Sequence, residues 1–411
     1  MVGRGIVALA SPILSRIYTP ADFGIRSVLF SLTAALVIIC ALNYEAAIPL
    51  PKDDELGLSI MVLSFVLLLL NTAVCVIAVL FFAAPICRLL GIPQLQRYLW
   101  LLPIGVVTGG IFFILNSWAI RVQAFKSLAK RRITQSAFQV ATQLGTPLIT
   151  HGPLGLILGD CVGRAGGSTS LLADTWEYVR ARKLRVSVAR AVEALKRYKR
   201  FPVFGLSSVL MHTSFSLLPP LLLTRLYGLQ EAGWFGMAYQ ALGVTIEFVG
   251  IGIGQVYFSY TAQSAHSSPG SLRPMFLKMS RATLLVGLPP LALLAVASPW
   301  LFRIVFGARW IEAGRYGQIL ALPFLVMFVA NIGLPVLTVL ERQHWQLIAD
   351  MAGVAILCSG VWYAHHLGLS GRWAVGAFGM ALILTYSSFY GLAWYAIQHP
   401  LSHVTRQSSH E

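Results

Sequence analysis

The sequence predicts an all-α, polytopic membrane protein with about twelve transmembrane helices in two six-helix bundles. Composition, the spacing of apolar runs and an internal repeat carry that expectation. Of 411 residues, 57% are hydrophobic and 11% charged, against about 25% charged in an ordinary soluble domain. A helix needs roughly 20 mostly apolar residues to cross a hydrocarbon core of about 30 Å, and such runs recur along the whole chain.

In order, the runs lie at 2–17, 25–43, 57–82, 99–120, 133–151, 153–173, 201–224, 233–257, 282–305, 316–340, 347–366 and 374–397. They group into a bundle over 1–173 with a short first helix, a linker over 174–200, a second bundle over 201–397 and a tail over 398–411. No small-residue cleavage pattern follows the first run, so no cleavable signal peptide is expected. If both termini are cytoplasmic, the inner segments hold 21 basic residues, including all seven lysines, and the outer ends nine, Arg26 among them. The positive-inside rule selects that orientation. The formal charge of +16 then reflects topology and anionic lipid rather than nucleic acid, which would need a contiguous soluble basic face. Val186, Val188, Val192, Leu195 and Tyr198 among the many Arg and Lys of the linker suit a basic amphipathic helix on the membrane surface. Cys40, Cys75, Cys87, Cys161 and Cys358 fall in apolar runs without metal or redox spacing and read as small core residues.

Leu14-Ser15-Arg16-Ile17-Tyr18, with Asp22 and Gly24, repeats as Leu223-Thr224-Arg225-Leu226-Tyr227, with Glu231 and Gly233, at the same offsets. Both copies close the first span of a six-helix half. Parallel duplication of this kind suits transporters, where two related bundles rock against each other about a site near the bilayer midplane. Taken singly, these residues read as interfacial anchors. Prolines at 12, 103, 219, 220, 289, 290, 323 and 335 lie in or near spans and add kinks without distinguishing a transporter from a membrane enzyme.

Ionisable groups at membrane depth cost several kcal/mol unless paired or hydrated and by default mark a pathway. Asp160 and Arg164 lie four apart on one face of the sixth span, where a mutual ion pair and a ligand contact are equally open readings. Glu247, mid-way along the eighth span, is a candidate for a coupling proton or cation, or else a buried hydrogen-bonded acid. His212, Gln240, Asn116, Gln139 and Gln143 line a polar cavity or make interhelical hydrogen bonds. The glycines from Gly163 to Gly167 fit close helix packing better than phosphate cradling. Neither a catalytic motif nor a metal or cofactor motif is present in the sequence, so the expectation is a protein that is not an enzyme and carries no cofactor.

Ser11 to Gly24 (SPILSRIYTPADFG) resembles the first-span signature of bacterial polysaccharide biosynthesis proteins of the oligosaccharide flippase type. Asn43 to Lys52 (NYEAAIPLPK) resembles their second-span exit, and Phe306 to Tyr316 (FGARWIEAGRY) their FG-x-x-W-x-x-AG-x-Y turn. Phe201-Pro202, Leu218-Pro219 and Gly254-Gln255-Val256 follow in the expected order. The family belongs to the multidrug, oligosaccharidyl-lipid and polysaccharide exporter superfamily, whose two six-helix bundles surround a central cavity. Relatives carry more residues before the first of these segments. The resemblance implies transfer of an undecaprenyl-diphosphate-linked oligosaccharide from the inner to the outer leaflet of the bacterial inner membrane, for O-antigen, capsule or exopolysaccharide. Its partners would be that lipid, the bilayer and a polysaccharide polymerase with other assembly proteins. Such a headgroup needs a cation in the cavity, which favours Arg164, because guanidinium matches phosphate oxygens bidentately.

Three other functions compete with the flippase. A cation-coupled drug exporter of the same superfamily would favour an apolar or acidic cavity. A membrane polymerase or ligase would carry a large basic outer loop, and the outer loops here are short. A non-transporting scaffold of the assembly machinery would tolerate loss of the cavity charges.

Overall fold

The computed structural model describes residues 2–199, 201–244, 246, 272–340 and 342–399. Among them there are helices and turns and no strand, as expected where every backbone polar group must be satisfied within the segment that crosses lipid. The chain is a multi-span membrane protein. It divides into two compact units, 1–233 and 234–411.

The first unit holds α1 (Val2–Ile17), α2 (Pro20–Cys40), α3 (Asp54–Leu90), α4 (Leu101–Arg121), α5 (Phe125–Gly145), α6 (Leu154–Ala181), α7 (Val188–Arg197), α8 (Leu206–Tyr227) and the start of α9, which runs over 229–244. Within it α6 packs on α5 and α4, α2 on α4 and α8, α1 on α5, and α3 on α4 and α7. The second unit contains the rest of α9, α10 (Leu272–Val305), α11 (Ile311–Ala330), α12 (Gly333–Val339), α13 (Gln343–His366) and α14 (Gly371–Gln398). There α10 packs on α11, and α14 on α11, α12 and α13.

Eight of the described helices are long and apolar enough to cross a membrane by themselves. In α3, Leu80, Phe81 and Leu89 are more than 70% exposed; such a face is stable against lipid tails, which are as apolar as the side chains themselves. α5 and α6 are more polar, and Gln139 and Gln143 of α5 bond across to Asp160 and the Leu156 carbonyl of α6. Their backbones come close: a Cβ on Gly163 would stand 2.8 Å from the Gln139 Cβ and 2.9 Å from the Gln135 carbonyl oxygen.

Several helices depart from the apolar runs: α3 continues to Leu90, α6 continues to Ala181 and α10 begins at Leu272. The fifth helix begins at Phe125 rather than 133, because Arg131 is buried inside it at 4% exposure instead of standing in an inner loop. The run over 316–340 is two helices with a break at Asn331–Ile332.

The motif residues build turns. Thr19 caps α2 in a reciprocal box with Asp22, and Pro20 occupies the first helical position. In the second-span exit, Asn43 takes φ +63° before a 3-10 turn over Tyr44–Ala47. In the FG turn, Trp310 is wholly buried, Trp234 Nε1 donates to the Arg309 carbonyl at 2.9 Å, and Glu312 receives both guanidinium nitrogens of Arg372.

Candidate functional site

α2, α4 and α6 run side by side in the first unit, and a cleft of about 330 Å³, counting the open space at its mouth, lies between them. Apolar residues such as Leu29, Phe30, Leu102 and Ile157 wall it, with Arg26, Asp160 and Arg164 as its charged lining. The cleft holds two cations and one anion.

Asp160 does not pair with Arg164. It receives Nε and Nη2 of Arg26 on its two oxygens at 2.8 and 2.9 Å, and Gln139 Nε2 donates to the same carboxylate at 2.9 Å. The physical reason is geometric: Arg26 approaches from the facing helix and places Nε and Nη2 on the two carboxylate oxygens, a bidentate match that satisfies the acid. Arg164 instead lies over the Phe30 ring at 5.2 Å, close to Gly109 of α4. Among the described residues no carboxylate lies within ion-pair distance of Arg164. Arg26 stands six residues into α2, Asp160 six into α6 and Arg164 ten into α6. At 1.5 Å per residue these positions lie about 9, 9 and 15 Å along the helices from their starts.

The other predicted site residues lie elsewhere. His212 is half-buried on α8 and Gln240 on α9, and neither lines the cleft. Glu247 lies outside the described residues, as does Gly254-Gln255-Val256. Gln143 and Asn116 make interhelical bonds: Gln143 Nε2 donates to the Leu156 carbonyl at 3.3 Å, and Asn116 Oδ1 accepts from Arg131 Nη1 at 2.9 Å.

Three charged residues escaped the sequence reading. Arg26 counts among the outer-end basic residues in the sequence, although it already lies in an apolar run. Arg131 packs its guanidinium 4.0 Å over the Phe112 ring. Asp350 on α13 is 0% exposed and interacts electrostatically with Tyr386 of α14; an acid inside an apolar run was the signal.

At the opposite ends of these helices an ionic cluster closes the NYEAAIPLPK turn. Arg121 donates to the carbonyls of Ile48 and Pro51 at 3.0 and 2.6 Å and to Asp54 at 2.9 Å. Asp54 also accepts from Tyr178 at 3.0 Å and Arg182 at 2.9 Å. Arg190 of α7 binds Asp53 and, at 3.0 Å, Glu55. The amphipathic linker helix is thereby tied to the start of α3, with Ala194 buried and Val192 exposed. Glu45 in this turn has a buried Oε2 without a hydrogen-bond partner, and burial pushes its carboxyl up to about 7.

The sequence profile of a family described as "Polysaccharide biosynthesis protein" matches residues 13–315. Teichuronic acid biosynthesis protein TuaB of Bacillus subtilis (strain 168) is 25% identical over 166 residues, 40% of this chain and 34% of TuaB, so the match spans about a third of that relative. The fold is similar to a multidrug resistance MATE family transporter of the MOP superfamily in an inward-facing conformation, with a TM-score of 0.74 and 14% identity over 98% of this chain and 96% of that one. It is also similar to the lipid II flippase MurJ in an inward closed conformation, with a TM-score of 0.70 and 13% identity over 100% of this chain and 90% of that one. At such identities the likeness speaks for the fold alone.

Proposed function

The chain belongs to the polysaccharide biosynthesis protein family and has the fold of MOP superfamily transporters, and from that premise we propose that it is a flippase for undecaprenyl-diphosphate-linked oligosaccharide repeat units. It moves them from the inner to the outer leaflet of the bacterial inner membrane by alternating access, with both termini cytoplasmic, in the assembly of O-antigen, capsule or exopolysaccharide. Six-helix halves over 1–173 and 201–397, joined by the linker, carry the motion, and a polysaccharide polymerase takes up the product.

The observation that carries this reading is Arg164: a guanidinium within an interhelical cleft, some ten residues into α6, with no carboxylate on it among the described residues. An unpaired cation between membrane helices is costly, and the cost is offset when an anionic ligand takes the empty side of the fork. The polyprenyl tail stays in lipid while the charged, sugar-bearing headgroup, which hydrocarbon excludes, passes the cationic site. Asp160, His212, Gln240 and Glu247 are further cavity candidates, for the sugar hydroxyls or a coupling ion.

The runner-up is a cation-coupled drug exporter, favoured by the likeness to the MATE transporter, which is as good as that to MurJ. Family membership and the net positive cleft favour the anionic lipid. An enzymatic polymerase or ligase role is disfavoured by the short outer connections, such as 228 between α8 and α9.

The test is deletion of the gene in its host, with mass spectrometry of extracted lipids. Accumulation of complete lipid-linked repeat units with loss of surface polymer, restored by the wild-type gene and not by Arg164→Ala at equal protein level, is expected. Single repeat units displayed on the surface would overturn the reading in favour of a polymerase.

A further inference from the structure

The cleft has a surplus of ligands for one guanidinium. Arg26 is already held bidentately by Asp160, at 2.8 and 2.9 Å, and Asp160 is itself steadied by Gln139. Each phosphoryl group of a diphosphate diester presents two non-bridging oxygens that a guanidinium fork can take as it takes the two oxygens of Asp160, and the diester carries two negative charges instead of one. Arg164 lies on the same face of α6 one turn deeper, about 6 Å along the axis, and lines the same cleft. A headgroup seated on Arg164 therefore has its second cation one turn nearer the start of α6, but that cation is occupied.

This deepens the flippase reading and rests on it: we propose that Asp160 is an internal anion that competes with the substrate diphosphate for Arg26, keeping headgroup binding weak enough for release at the outer side. Two unopposed arginines spaced one turn apart would clamp a diphosphate. A transport site must bind well enough to load and weakly enough to unload, and uniformly tight binding would lower KM without raising turnover. Asp160 sets that balance because displacing it from Arg26 costs the ion pair that it makes. When the headgroup leaves, the carboxylate returns to Arg26, so the empty site is not left with two unpaired cations. Asp160 is in this sense a positioning and specificity residue. A ligand with a single charge, too weak an acceptor to displace the carboxylate, stays on Arg164 alone.

The test measures binding of undecaprenyl diphosphate to the purified full chain in detergent, with undecaprenol as the uncharged control. The variants are Asp160→Asn, Arg26→Gln, the double variant and Arg164→Ala, each checked for folding by its melting temperature. The expected result is at least tenfold tighter binding by Asp160→Asn, with both KM and turnover lowered in flipping assays, and loss of that gain in the double variant. An ion pair that merely holds α2 to α6 would lower the melting temperature without tightening binding, and that outcome overturns the proposal. If Asp160→Asn alone does not fold, the comparison moves to the Arg26→Gln background. There the double variant must bind no more tightly than Arg26→Gln, because the carboxylate has no second cation left to withhold; tighter binding overturns the proposal. Arg164→Ala separates the two levels. If it binds undecaprenyl diphosphate as well as wild type does, the diphosphate site itself is wrong. If it binds poorly while Asp160→Asn gains nothing, only the competition is wrong.

Discussion

Gly24 and Gly233 stand in a reciprocal relation. A Cβ on Gly24 would lie 2.0 Å from the carbonyl oxygen of Leu229, four residues before Gly233, and a Cβ on Gly233 would lie 1.8 Å from the carbonyl oxygen of Pro20, four residues before Gly24. These glycines end the two copies of the sequence repeat, so the copies meet backbone to backbone, each using its glycine to admit the other's first turn. Offsets that look like interfacial anchoring in one dimension are a self-complementary contact in three.

Either glycine changed to alanine forces the two helix starts apart, since backbone rather than a flexible side chain is in the way. We expect each variant to lose about 1–3 kcal/mol, the usual range for overpacking. The double variant should lose less than the sum, because both act on one contact. Thermal unfolding in detergent of the two single variants and the double checks this; full additivity would contradict it.

The ionic cluster at the start of α3 gives a graded expectation. Asp54→Ala leaves Arg121, whose side chain is 6% exposed, without its carboxylate, and breaking a buried pair typically costs about 3–5 kcal/mol. Asp53→Ala removes a partner of Arg190 where Asp53 is 53% exposed, together with the N-cap of α3 that accepts from Glu55 N, and should cost about 1–2 kcal/mol. Melting temperatures of the two variants decide; equal losses would contradict the assignment of Arg121 as the buried lock.

Glu45 supplies a pH dependence outside the spans. Burial raises its carboxyl from the ordinary 4.5 to about 7, so the folded chain binds this proton more readily than the unfolded chain. Stability tied to Glu45 is therefore full below about pH 4.5 and is lost as pH rises through 7. Glu45→Gln, which keeps the shape and removes the charge, should raise stability at pH 8 and leave it nearly unchanged at pH 4.5. A gain independent of pH would contradict the assignment.

Much of this was legible in the sequence, and the misses have physical causes. Helix type and membrane embedding follow from composition, because lipid permits few other backbones. The NYEAAIPLPK and FGARWIEAGRY segments mark turns whose carbonyls and acids are tied by Arg121 and Arg372. Asp160 and Arg164 stood out as charges at depth, but their partners did not: spacing along α6 points to each other, while the fork of Arg26 comes from a helix 134 residues away in sequence. Arg131 reads as a loop residue because it belongs to a basic stretch with Lys126, Lys130 and Arg132, and only packing against Phe112 and Asn116 carries it inside. Sequence periodicity sees one helix at a time, whereas a polar cleft is made by three.

The central claim is that Arg164 holds the anionic headgroup during transfer between leaflets. Its most direct test is reconstitution of the wild-type chain and of Arg164→Ala and Arg164→Lys in liposomes, with fluorescent undecaprenyl-diphosphate-linked oligosaccharide in the inner leaflet and an impermeant quencher outside. The account expects rapid transfer by wild type, a loss of at least tenfold for Arg164→Ala, and partial transfer for Arg164→Lys, which keeps the charge and loses the fork. Transfer by Arg164→Ala at the wild-type rate, in protein of unchanged melting temperature, would contradict it.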